Sequence, residues 1–323
     1  MKQKKENQTL PIINLSNYFG GKATEESKKD VVKKWNDAFS KVGFAILTNT
    51  GVSQHSITAL EVSACSFFAQ EDALKCDYSL GKYGIRGYTP IGLEAVGRSL
   101  DPGLIQNIDS IKPDPVESFV FKNGGTPPDF QPEHPMTLVP AVKAYWKEME
   151  ILLAERVLPL SAVSLGLPKN YFNKFYQCEG GKLGNNSLRL AYYPALDHGV
   201  NNCATRYGAH TDYMGFTLLR PDPMIAGLEV LYPDGNWVEV PPILGNAIII
   251  NSGDLIKRWT NDLWSSALHR VKISSTKSRL SLVFFTGPRD DALVETLSIN
   301  GASHYAPVLV KDHLDEKIKA TNI

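Results

Sequence analysis

His210, Asp212 and His269 are the residues whose types and spacing could do chemistry together. The segment Ala209-His210-Thr211-Asp212-Tyr213 places an imidazole and a carboxylate two residues apart. On a β-strand, side chains at i and i+2 leave the same face, so the spacing predicts that both grip one ion from a single strand. A second imidazole comes from the distant segment Ser265-Ser266-Ala267-Leu268-His269-Arg270-Val271, which also reads as a strand. Two His and one carboxylate on one face of an octahedral ion leave the opposite face open to exogenous ligands. That is the donor set of non-haem Fe(II) sites that activate oxygen. A zinc hydrolase fits the same three donors.

Ten residues beyond His269 stands Ser278-Arg279-Leu280-Ser281-Leu282-Val283-Phe284-Phe285. Its spacing predicts Arg279 and Ser281 on one face of the next strand of a meander. An arginine buried at the back of a pocket requires an anion, and its planar fork matches a carboxylate bidentately. The serine hydroxyl adds a donor, and an unpaired guanidinium would be costly to bury. Zinc hydrolysis has no use for this second, anionic occupant.

The elements that must position these groups divide into two kinds. Leu10 to Leu15 and Gly43 to Leu47 read as strands. Glu26 to Lys41 carries a helical stripe at Val31, Val32, Trp35, Ala38 and Phe39. Ser53 is placed to cap a helix burying Ile57, Leu60, Ala64, Phe67 and Phe68. Gly81 to Gly103 and Asn123 to Pro135 lack periodicity and are expected as loops. Val142 to Leu165 is the longest helical pattern, with a kink expected at Pro159 and a stop at Gly166.

From residue 187 the pattern changes to short strands: Ser187–Tyr193, Tyr207–Asp212, Gly215–Arg220, Gly227–Leu231, Trp237–Val240, Ala247–Ile250, Ser265–Val271 and Arg279–Thr286. Val308 to Ala320 reads as a helix. Eight such strands suit a double-sheet jelly roll with an interior cavity. The expected fold is α+β and β-rich, a double-stranded β-helix flanked by helices. Residues 1–186 form a mixed helical region packed on the core, 187–290 the catalytic core, and 291–323 a C-terminal segment, all in one integrated domain.

Composition narrows the partners. The 323 residues carry 34 Lys plus Arg against 34 Asp plus Glu, so no net field favours nucleic acid or an anionic membrane. The longest apolar runs, such as Ala247 to Ile250, are far too short to span a bilayer. Met1 to Asn7 is polar, without the apolar stretch of a secretory signal, and is expected as a frayed tail. Cys65, Cys76, Cys178 and Cys203 stand apart and read as free thiols of a cytoplasmic protein.

The chain resembles the Fe(II)/2-oxoglutarate-dependent dioxygenases, in the small-molecule biosynthetic branch that includes isopenicillin N synthase. The resemblance spans nearly the whole chain. It is carried by Leu10-Pro11-Ile12-Ile13-Asn14-Leu15, Gly43-Phe44-Ala45-Ile46, Asn49-Thr50-Gly51-Val52, Phe67-Phe68 and Leu188-Arg189-Leu190-Ala191-Tyr192-Tyr193-Pro194. It continues through His210-Thr211-Asp212-Tyr213, Gly253-Asp254, Arg258-Trp259-Thr260-Asn261-Asp262, Leu268-His269-Arg270-Val271 and Arg279-Leu280-Ser281. The resemblance implies that His210, Asp212 and His269 bind iron and that Arg279 and Ser281 hold the distal carboxylate of 2-oxoglutarate. Tyr193 matches the tyrosine of the family's Asn-x-Tyr element, whose Asn is Ala191 here. It further implies O2 as oxidant, ascorbate as reductant, and decarboxylation of 2-oxoglutarate to succinate and CO2 coupled to hydrogen abstraction from an unactivated C–H. Hydroxylation, desaturation and oxidative ring closure all begin with that abstraction. Relatives that halogenate have lost the carboxylate retained here as Asp212.

For the small-molecule substrate, the loop Gly84 to Pro90 with Arg86, and Arg98 beyond it, lie where the family covers its pocket. Arg206 and Arg189 are further cationic candidates, and Phe285 and Trp259 aromatic ones. These arginines motivate a carboxylated, amino-acid-derived substrate. Two alternatives stand beside this reading. One is an iron oxidase of the same fold that does not consume 2-oxoglutarate, as isopenicillin N synthase and the ethylene-forming oxidase do not. The other is a non-catalytic jelly-roll binding protein. The oligomeric state is not legible in the sequence.

Overall fold

The computed structural model describes residues 8–79, 86–99, 112–122, 131–177, 183–196, 205–299 and 301–321. The Met1–Asn7 tail, Cys178, Cys203 and parts of the two expected loops lie outside them. The chain opens with β1 (Ile12–Asn14), α1 (Ser16–Phe19), α2 (Glu25–Lys41), β2 (Phe44–Thr48), α3 (Gln54–Phe68) and α4 (Asp72–Cys76). Then come β3 (Gly87–Thr89), a 3₁₀ turn (Val96–Ser99), β4 (Glu117–Lys122), α5 (Leu138–Leu152), a π-turn (Leu153–Val157), α6 (Leu158–Ser164) and α7 (Asn173–Tyr176). The second half holds β5 (Ser187–Tyr193), β6 (Thr205–His210), β7 (Phe216–Arg220), β8 (Leu228–Leu231), β9 (Trp237–Glu239) and β10 (Ile248–Ser252). It continues with α8 (Asp254–Trp259), β11 (His269–Lys272), β12 (Arg279–Phe285), the short pair β13 (Leu293–Val294) and β14 (Val308–Leu309), and α9 (Val310–Thr321).

Two sheets form the jelly roll. The larger has the order β1-β2-β10-β7-β12-β5-β4-β3, and the smaller β6-β11-β8-β9. Four strands from the first 122 residues extend the larger sheet, so the N-terminal region is woven into it rather than only laid on it. β3 arises inside the segment expected to be one loop. Three residues are too few to show a period of two, and only pairing with β4 defines the strand. The expected His269-to-Arg279 meander is corrected too: β11 lies in the smaller sheet and β12 in the larger, so the connection crosses between them.

Strand parity sorts the larger sheet into an apolar back and a cavity face. On β12, Leu280, Leu282 and Phe284 join the main core, while Arg279, Ser281, Val283 and Phe285 line the cavity. On β5, Leu188 and Leu190 point back, while Ser187, Arg189, Ala191 and Tyr193 point in. The helices cover the back. The stripe of α2 buries Val31, Trp35, Ala38 and Phe39, and its start is fixed by reciprocal hydrogen bonds between Thr24 and Ser27. Ser53 caps α3 through the Ser56 N–H, as its position predicts. The kink expected at Pro159 is a widened turn just before it, where the Leu158 N–H reaches back to the Leu153 carbonyl. Proline cannot donate to the carbonyl four residues earlier, which favours such a defect. Among the described residues, no helix is long and apolar enough to cross a membrane.

Candidate active site

A cavity of about 540 Å³ lies between the sheets, within the range usual for small-molecule sites. At its inner end β6 and β11 pair antiparallel with His210 directly opposite His269, which brings the ring centroids to 4.2 Å. Asp212 completes the cluster, but not by strand parity: β6 ends at His210. The carboxylate is swung inward by the turn that follows. The N–H groups of Asp254 and Leu255 hold the carbonyls of Asp212 and Tyr213, at 2.8 and 3.2 Å. A Cβ on Gly253 would stand 2.6 Å from the Met214 carbonyl oxygen and 2.9 Å from that of Asp212, so only glycine admits this approach.

The three side chains are placed so that they could hold a metal ion. His210 Nδ1 bonds the Gly208 carbonyl at 2.9 Å and His269 Nδ1 that of Ala267 at 3.1 Å, which directs both Nε2 atoms inward. Asp212 Oδ1 lies 3.8 and 3.9 Å from them, and one donor atom from each residue falls within 4.8 Å of the others. Asp212 Oδ2 accepts from Thr217 at 2.6 Å and Asn251 at 2.7 Å, leaving Oδ1 for a cation. Burial and the neighbouring His269 push the His210 pKa well below its usual value, so the imidazole is neutral, as a metal ligand requires. Burial raises the Asp212 pKa, but both imidazoles and the Asn251 and Thr217 hydrogen bonds outweigh it and hold the carboxyl below its ordinary range. The edge of Phe44 packs on His269 with centroids 5.2 Å apart.

Beside this cluster, Arg279 is buried. Its Nη1 donates to Ser281 Oγ at 2.6 Å, and its guanidinium lies 5.2 Å from the Tyr193 ring centroid, across the register pair Arg279–Tyr193. Among the described residues no carboxylate lies within ion-pair distance of it. A buried cation that keeps its charge without a counter-ion fits an anionic ligand.

The remaining candidates separate. Arg206 is not on the cavity wall. It donates to the carbonyls of Pro194, Ser275 and Lys277 and ties together the chain segments behind β6. Arg86 is exposed and outside the lining. Arg189 does face the cavity but is already engaged, pairing with Glu94 at 2.6 Å and donating to the Tyr207 hydroxyl at 2.8 Å. Arg98 lines the cavity, and its buried Nε has no partner among the described residues. Phe285 lines the cavity half-buried, whereas Trp259 is core. Sequence reasoning missed Thr217 and Asn251. The signal was present in parity: Asn251 ends the apolar run Ile248-Ile249-Ile250 on the face shared with Ile249.

A divalent ion held by three protein donors, with an anionic ligand pinned beside it, lets a protein bring oxygen and a cosubstrate to one metal. The class these features define is the non-haem metal oxygenases. Comparison with known proteins narrows it. Residues 184–288 match the model of the 2OG-Fe(II) oxygenase superfamily, and residues 10–140 that of the non-haem dioxygenase N-terminal region named from morphine synthesis. The chain is 31% identical over 286 residues to gibberellin 2-beta-dioxygenase 2 of Arabidopsis thaliana, covering 87% of this chain and 74% of that one. It is equally identical to 1-aminocyclopropane-1-carboxylate oxidase 3 of Cucumis melo, covering 88% and 80%. A full-length Neurospora crassa protein, solved in complex with alpha-KG (2-oxoglutarate) and thymine, superposes with a TM-score of 0.81 at 27% identity, over 99% of both chains. The chain belongs to the 2OG-Fe(II) oxygenase superfamily. It is a non-haem Fe(II)/2-oxoglutarate-dependent dioxygenase, with Fe(II) and 2-oxoglutarate as its cofactors.

Proposed function

We propose that this dioxygenase oxidises an unactivated C–H of a small carboxylated, amino-acid-derived metabolite. Hydrogen abstraction leads to hydroxylation, desaturation or oxidative ring closure, according to where the substrate is held. In this reading His210, Asp212 and His269 hold the iron, while Arg279 and Ser281 take the distal carboxylate of 2-oxoglutarate, with Tyr193 flanking the guanidinium. Bound iron and 2-oxoglutarate supply the oxidant, with succinate and CO2 as by-products. The protein's part is positioning and exclusion of water. Val283, Phe285 and Leu219 give the cavity apolar surface, and Leu314 and Ile318 of α9 line it from another side.

The observation that carries the substrate class is Arg98. It lines the cavity with a buried Nε and has no ion-pair partner among the described residues, whereas Arg206 is taken by backbone carbonyls and the Arg189 guanidinium by Glu94. Lys122 lines the same cavity. The melon relative is named for a carboxylated amino acid, whereas thymine in the Neurospora crassa complex carries no carboxylate. A panel of amino-acid derivatives, their methyl esters, and thymine as the uncharged comparison tests the reading by succinate release. Free acids should stimulate 2-oxoglutarate turnover and their esters should not, and Arg98→Ala should raise KM for the acids about tenfold or more. Equal stimulation by acid and ester, or an unchanged KM in Arg98→Ala, would overturn it.

A further inference from the structure

A buried carboxylate outside the metal cluster joins the substrate wall to the metal strand. Asp114 is only 5% exposed. Its Oδ2 accepts the Val96 N–H and its Oδ1 the Gly208 N–H, each at 2.8 Å. The same residue's N–H bonds the Glu94 carbonyl at 2.7 Å. Gly208 is also the residue whose carbonyl orients His210. Residues 94–98 bring Glu94, Val96 and Arg98 to the cavity, so one side chain grips both that wall and the backbone that aims an imidazole. The approach is close: a Cβ at Gly208 would stand 3.0 Å from the Gly97 backbone nitrogen.

We propose that Asp114 is a positioning residue that seats the 94–98 wall on β6, so that the wall and His210 keep a fixed relation. Among the described residues no cation lies within ion-pair distance of its carboxylate. Two convergent N–H donors hold it instead, and the charged groups nearby, Glu94 and Arg189, are paired with each other. Burial, with Glu94 as a like charge, raises its pKa to about 6 against the lowering by its two N–H donors and Arg189. A buried carboxylate kept at that cost between a ligand wall and a metal strand is hard to explain as packing alone.

The coupling rests on the proposed metal role of His210, and the test separates the two. Amide hydrogen exchange on the full chain reads the wall directly, and the absorption spectrum of the Co(II)-loaded protein reads the donor geometry. In Asp114→Ala, exchange in peptides spanning residues 94–98 and 205–210 should accelerate together by about tenfold or more while β5 and β12 keep their protection. The Co(II) spectrum should shift as well. Asp114→Asn, which keeps one acceptor, should fall between Ala and wild type. Should Asp114→Ala fail to fold, Gly208→Ala provides a second route: its methyl group pushes the wall away without removing the acid and should produce the same paired changes. Wild-type-like exchange in both segments, uniform acceleration across all strands, or a loosened wall with an unchanged Co(II) spectrum would each overturn the proposal. Failure of the wild-type protein to bind Co(II) would instead contradict the metal reading, and the exchange results would still decide whether Asp114 holds the wall.

Discussion

The two ends of the cavity are built on different principles. At the inner end, candidate donors come from paired strands and one braced turn, and the atoms beside them are engaged: Nδ1 of both histidines, Oδ2 of Asp212, and Nη1 of Arg279. At the outer end Glu94 of the 94–98 segment pairs with Arg189 of β5, Asp114 clasps the Val96 N–H, and the buried Nε of Arg98 has no partner among the described residues. In the proposed reading the inner end is preorganised for the cofactors shared across the superfamily. The outer end keeps Arg98 and Lys122 on the wall for the proposed substrate. Rigid secondary structure under the chemistry and loop-borne residues around the substrate is the division expected when a common reaction serves many substrates.

The contrast can be broken most severely at the inner end. His210→Ala should abolish iron binding and lower turnover by about a thousandfold or more, about 4 kcal/mol of barrier. Metal titration and succinate release check it. Arg279→Leu should leave metal affinity unchanged but weaken 2-oxoglutarate binding by about a hundredfold or more, since breaking a buried charge pair costs about 3–5 kcal/mol. Calorimetry on the metal-loaded protein reads that difference.

At the outer end the effect appears as linkage. The Asp114 pKa is raised to about 6 in the fold from 3.8, so the folded state takes up a proton before the unfolded chain does. Its contribution is fully present below about pH 4 and is lost as pH rises through 6, with an upper magnitude of about 3 kcal/mol. Denaturation of wild type and Asp114→Asn between about pH 4.5 and 7.5 should therefore show wild type gaining relative stability as pH falls. A pH-independent difference would contradict the sign. Asn251→Ala should cost about 10–100-fold in iron affinity, the usual effect of losing a group that holds a ligand. Smallest, Arg206→Ala should lower stability by about 1–3 kcal/mol, because three carbonyls lose their donor, without changing the response to substrate.

Legibility followed the same division. Parity exposed Arg279 and Ser281, and periodicity placed α2, α3 and β5 within a residue, because alternation and the helical stripe are local properties. Asp212 was singled out on strand parity, which the structure replaces: its aim comes from Gly253 and the first turn of α8, about forty residues away in sequence. Arg206 looked available until the partners of its guanidinium were known, and those partners are backbone carbonyls with no side-chain signature. The Arg189–Glu94 pair spans 95 residues and joins a turn to a strand, so no spacing rule finds it. Thr217 and Asn251 were within reach of the same parity argument and were overlooked as ordinary polar residues in apolar strands.

The central claim is that one cavity floor holds a metal on His210, Asp212 and His269 and an anionic cosubstrate on Arg279. Anaerobic titration of the Fe(II)-loaded protein with 2-oxoglutarate, followed by the charge-transfer absorption of the chelate, tests both halves at once. The band should saturate in wild type, disappear in Asp212→Ala, and require about a hundredfold more 2-oxoglutarate in Arg279→Leu. An undisturbed band in Asp212→Ala, or an Arg279→Leu titration that overlays wild type, would contradict the account.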